Sequence, residues 1–139
     1  MKHSRSKVCF LTTVVILSVA LTSACDSNAP PQQPSNPFPD DGAIAQDTSL
    51  VVTWDCHDPD GETLVYTDHN GYSQVRSALS FDLYLDTEPD PAEIVQSTND
   101  YFYQARSLEF ATTYYWKVVA SDGEDSTHGP VWRFTTRTN

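Results

Sequence analysis

Carboxylates and imidazoles gather at two places in this 139-residue sequence, and oxygen-rich groups of that kind are what a divalent cation needs. The first group is His57, Asp58, Asp60 and Glu62; the second is Asp122, Glu124, Asp125 and His128; His69 lies between them in the chain. Asp58 and Asp60 followed by Gly61 have the donor spacing of a calcium loop, and the imidazoles would extend the choice to zinc. Two positions break that pattern: Cys56 stands where the loop's first acid belongs, and Thr67 where the bidentate Glu belongs. Asp-Pro-Asp-Gly is also a strong turn signal by itself, since Asp bonds nearby backbone and Gly accepts positive φ. Turn chemistry on a solvated face is therefore the first reading. A calcium site drawn from Asp58, Asp60, Glu62, Asp122, Glu124 and Asp125 is the second. No other cofactor is expected, and no catalyst: GxSxG, HExxH, paired CxxC, P-loop and GxGxxG patterns are all missing.

Whether the two groups meet depends on the elements that carry them, and these read as strands. From Leu108 to Ala120, LEFATTYYWKVVA, period-2 alternation puts Tyr114, Trp116, Val118 and Ala120 on one face and Tyr115, Lys117 and Val119 on the other. Ser49 to Cys56 alternates likewise, with Leu50, Val52, Trp54 and Cys56 inward, so Cys56 reads as a buried, inert thiol. Ser80 to Asp86 places Phe81, Leu83 and Leu85 on one face, and Val131 to Thr136 places Trp132 and Phe134 inward. Short strands are expected over Asp40 to Gln46, Glu93 to Gln96 and Tyr101 to Ala105, and a polar loop over Ser121 to Pro130. Asn70-Gly71, the strongest short hairpin signal, predicts a small hairpin within residues 65–79. Seven principal strands spaced by turn signals make an all-β, antiparallel Greek-key sandwich with a hairpin inserted between its second and third strands. In that topology the loops holding the two acidic groups emerge at the same end.

Leu50, Val52 and Trp54, then LEFATTYYWKVVA, then VWRFTT, resemble a bacterial fibronectin type III domain over most of the chain after its leader. The resemblance implies a tyrosine corner made by Leu108 and Tyr114. It departs from the family pattern in the inserted stretch around residues 65–79.

The chain's start has a different character. Met1 to Lys7 is basic, Val8 to Leu21 is an uncharged run of 14 residues, and Thr22, Ser23 and Ala24 are small or short. The run is too short for a permanent span of about 20 residues and fits a cleavable export signal over residues 1–24. LTSAC is similar to the lipobox of bacterial lipoproteins; the resemblance implies cleavage before Cys25 and acylation of its thiol, with palmitate among the chains. Asp26 resembles an inner-membrane retention signal, so inner and outer membrane both stay open. Residues 25–39 follow with five prolines and read as a disordered tether to a domain over 40–137, reaching roughly 40 Å at ~3.1 Å per residue. With Cys9 in the leader and Cys25 acylated, no intrachain disulfide is expected.

The net charge is −11, and without Lys2, Arg5 and Lys7 the rest carries five Lys/Arg against nineteen Asp/Glu. Such a surface repels phosphate backbones, which excludes nucleic acid as a partner. A protein or polysaccharide partner is expected instead, met by a monomeric domain at the hairpin and the loop before the last strand: Tyr66, His69, Asn70, Tyr72 and His128. Outward tyrosines among Tyr72, Tyr84, Tyr101, Tyr103 and Tyr115 would add a sugar- or protein-binding face.

Overall fold

The structure, a computed structural model, describes residues 28–61, 63–67, 73–77 and 79–139, with backbone alone for 63–67 and 73–77. Cys25 and the leader, Glu62, His69, Asn70 and Tyr72 lie outside the described residues, as does the side chain of Tyr66.

The described chain has no helix. One sheet has three strands in the order β1–β3–β8, where β1 is Ser35–Phe38, β3 is Leu50–Asp55 and β8 is Phe102–Ala105. The other runs β2–β11–β9–β6–β7: β2 is Ala43–Gln46, β6 Ser80–Asp86, β7 Ile94–Thr98, β9 Thr113–Ser121 and β11 Trp132–Thr136. A short β10, Ser126–His128, folds back onto β9. A separate pair joins β4, Thr63–Thr67, to β5, Ser73–Ser77, antiparallel with Val65 opposite Val75.

The alternation that predicted the strands also fills the core. Val52 and Trp54 from β3 meet Phe81 and Leu83 from β6, Trp116, Val118 and Ala120 from β9, and Trp132 and Phe134 from β11, all buried. Trp54 meets Phe81 edge to face at 5.5 Å, and Trp116 lies 4.7 Å from Trp132, arrangements that aromatic quadrupoles favour. Cys56 is only half-buried, at the rim, and its thiol donates to the Gln32 carbonyl at 3.2 Å.

Four expectations are corrected. The long central strand starts at Thr113, not Leu108, because Ser107 and Ala111 take left-handed φ values of 57° and 53° while the chain turns between sheets. The expected Ser121 to Pro130 loop contains β10. The sandwich is not purely antiparallel: β2 runs parallel to β11, with an irregular register where Ala45 has φ 56°. The fourth concerns residues 28–39, expected as a loose tether. They are packed on the domain, which therefore begins well before Asp40: Pro31, Pro34 and Pro39 are buried, and β1 pairs with β3.

Between the sheets at the end opposite the acidic loops, the corner around Leu108 is held by two side chains. The Tyr114 hydroxyl accepts from the backbone N–H of Glu109 at 3.0 Å, and Leu108 packs on the core edge. Thr136, itself buried, donates its hydroxyl to the Glu109 carbonyl at 2.6 Å and accepts from the Thr112 N–H at 2.9 Å. Backbone groups that no ladder satisfies are thus paired by side chains. Tyr114→Phe should cost about 0.5–1.5 kcal/mol, the net worth of one hydrogen bond, because Glu109 is exposed and water can take the place of the lost acceptor; an unchanged urea midpoint would show that the corner contributes nothing.

Candidate functional site

The two acidic groups do emerge at one end, and what joins them is the N-terminal segment. Asn28 donates its side-chain amide to Asp122 at 2.9 Å and to Asp125 at 3.1 Å. The next N–H, of Ala29, reaches Asp60 at 2.6 Å. Thr127 donates to the Pro31 carbonyl at 2.6 Å, Gln32 N–H to the His57 carbonyl at 2.8 Å, and Gln33 to the His128 carbonyl at 3.1 Å. Pro34 then rests against Gly129, whose N–H bonds the Val118 carbonyl at 2.7 Å. Residues 28–34 form a strap laid across the loop after β3 and the loop before β11.

Four of the carboxylates named for calcium, Asp58, Asp60, Asp122 and Asp125, accept hydrogen bonds within the domain. Asp58, only 3% exposed, accepts the Asp60 N–H at 2.8 Å, while its carbonyl accepts from Gly61, whose φ of 110° closes the turn. Asp122 caps its own loop by accepting the N–H groups of Glu124 and Asp125, each at 2.7 Å. Among the described residues no three His, Cys, Asp or Glu side chains converge as a metal-ligand set. The Asp-rich spacing forms Asx-type turns and holds the strap.

Asp122 feels two opposed influences. Burial pushes its carboxyl up, but the hydrogen bonds from Asn28 and from the N–H groups of Asp125, Glu124 and its own residue outweigh it and hold the carboxyl below its ordinary value. A depressed carboxylate stabilises the fold at pH above its unfolded value, about 3.9, and loses that contribution as pH falls through the lower folded value. Acidification below about pH 4 should therefore loosen the strap first, read as a change in the Asn28 side-chain amide resonances, whose acceptor is Asp122, while Trp fluorescence stays native. Change in both signals together would contradict it.

The aromatic expectation is partly overturned. Tyr101 and Tyr103 pack on the core edge, Tyr101 lying 4.8 Å from Phe81, because Tyr103 pairs with inward-facing Val52. Tyr84 is half-buried on the outer face of the larger sheet beneath the Lys117 ammonium at 5.2 Å, which also bonds Asp90 at 2.9 Å, and Tyr115 is half-buried. Among the described residues the most exposed aromatic rings are phenylalanines. Phe38 pairs with Thr53 and Thr53 with Phe102, so the three form one row across the outer face of the small sheet, with Phe38 56% and Phe102 51% exposed. Val51, next on that face, is also exposed. Period 2 marks Phe102 as opposite in parity to its tyrosine neighbours; Phe38 carries no such signal in its proline-rich surroundings.

A groove of about 340 Å³ opens beside the strap, lined by Gln32, Gln33, Ser35, Asp55, Cys56, His57 and Tyr101. Its walls are mostly polar.

No protein-family model matches the chain, and no curated protein does. Among solved structures, the chain is similar to the fibronectin type III domain of human fibronectin type III domain containing protein 3, at 22% identity and a TM-score of 0.51, over 83% of this chain and 94% of that one. It is also similar, at 15% identity and a TM-score of 0.41, over 76% of this chain and 97% of the other, to the "Structure of FN3tt mut". The strand order and the human domain's likeness agree: the fold is a fibronectin type III-like sandwich.

Proposed function

We propose that this chain is a lipid-anchored, extracytoplasmic module of the fibronectin type III kind that makes protein contacts or sets spacing, without catalysis. The exposed Phe38–Thr53–Phe102 row carries the contact reading: two phenyl rings on a three-stranded face, flanked by Val51, are the sort of apolar patch that marks interaction surfaces. The anchor reading rests on LTSAC and the short apolar run before it. Each buried methylene of an acyl chain contributes about 0.8 kcal/mol, and stable attachment takes more than one chain. Against catalysis stands the use of material: Trp54, Trp116, Phe81 and Phe134 are spent on packing between sheets rather than on walling a deep pocket.

A second reading, a neutral polysaccharide as partner, is favoured by the same row. Its outer rings sit two strand spacings apart, about 9.5 Å, and flat faces of that kind stack sugar rings.

Two measurements test the proposal. Fatty-acid labelling should mark the wild-type chain and be lost in Cys25→Ser, which should also leave the membrane fraction; label that survives the substitution would overturn the anchor. A photo-cross-linker at Phe102 should capture envelope protein or glycan, whereas one at Glu88, at the far end of β6, should capture neither. Equal yields at both positions would overturn the assignment of the row.

A further inference from the structure

We infer that the acidic loop end of the sandwich faces the lipid headgroups directly, with the strap holding it there. This rests on acylation of Cys25 as proposed above, and the rest is geometry. Asn28 is fixed to Asp122 and Asp125, and Ala29 to Asp60. Only Asp26 and Ser27 separate Asn28 from Cys25. Three residue steps span at most roughly 11 Å at full extension, so the leash is a quarter of the ~40 Å expected for an unfolded tether.

The direction of the strands then orients the whole domain. Ser80 pairs with Ser121 at the strap end and Asp86 with Tyr115 at the other. Nine residues of β9 cover about 30 Å, more than twice the leash. The turn after β6 and the Tyr114–Thr136 corner therefore point away from the membrane, the Phe38–Phe102 row faces sideways, and the loops carrying Asp58, Asp60, Asp122, Glu124 and Asp125 lie against the headgroups. Those loops contain no Lys or Arg, so the amine of a zwitterionic headgroup suits them better than an anionic lipid. The inserted stretch begins after Gly61 and ends before Leu79 at this same end.

The test uses the full acylated chain in phosphatidylethanolamine-rich vesicles doped with a headgroup-nitroxide lipid. A fluorescent residue is placed at the exposed Glu124 or, separately, at the exposed Glu88. Quenching should be several-fold stronger at 124 than at 88. A Gly/Ser insertion between Ser27 and Asn28 of about 13 residues, with an r.m.s. reach of roughly 20 Å, should bring quenching at 124 down toward that at 88. Equal quenching at both positions in chain carrying the acyl mass would overturn the orientation and leave the anchor standing. Absence of acyl mass on Cys25 would overturn both.

Discussion

Trp116→Ala should lower the unfolding free energy by about 3–5 kcal/mol, the range for deleting a large buried aromatic side chain. Trp116 has no exposed surface, lies between Leu85 on β6 and Trp132 on β11 in the ladder, and packs against the Trp132 ring at a tilt of 51°. Its removal opens a cavity where three strands of the larger sheet meet the smaller sheet, and close-packed neighbours collapse into such a space only partly. The urea midpoint should fall with little change in slope. Trp116→Phe should cost much less, for a specific reason: the indole N–H of Trp116 is buried and has no acceptor among the described residues, as is true of Trp54. An unsatisfied buried donor costs about 1–3 kcal/mol, so phenylalanine relieves a penalty while giving up volume. A Trp116→Phe loss as large as that of Trp116→Ala would contradict this.

Gly129→Ala is the second large effect, expected at about 1–3 kcal/mol through overpacking. A Cβ at this position would stand 2.8 Å from the Val118 carbonyl oxygen and 3.2 Å from the Pro34 Cβ. The oxygen belongs to the central strand β9 and cannot retreat without disturbing its ladder, so Pro34 and the strap must yield. The variant should lower the urea midpoint and speed amide exchange at Gln32, whose N–H bonds the His57 carbonyl. A lower midpoint with Gln32 exchange unchanged would mean that the strap does not bear on Gly129.

The two-sheet frame was legible because its strands are amphipathic at period 2 and each has one face to bury. Trp54, Phe81, Trp116 and Phe134 all lie inward as their parity demands. The strap was not legible, and the reason is physical. Five prolines in a polar stretch describe a chain that cannot make its own ladder. They say nothing about whether neighbouring loops offer donors and acceptors, and here Thr127, His57, His128 and Asp60 do. The missing proline N–H groups leave fewer donors to satisfy, so Pro31 and Pro34 can be buried cheaply. Ambiguity of a similar kind hid the exposed row, since Tyr101, Phe102 and Tyr103 are all large and aromatic and composition alone does not say which parity faces water. Thr136 looks ordinary as a threonine at a strand end, and only the fold brings the Glu109 carbonyl within reach of its hydroxyl. The acidic groups were correctly placed at one end, yet their first task is to accept backbone N–H groups.

The orientation, the short leash and the Gly129 effect all require residues 28–34 to be part of the folded domain. Amide hydrogen exchange at Gln32 tests it most directly, because that N–H is bonded to the backbone of a loop 25 positions away. Protection of Gln32 comparable to that of the β1 strand amides is the predicted result. Exchange at the rate of an unstructured peptide, with β3 and β9 still protected, would contradict it and return the segment to a free tether.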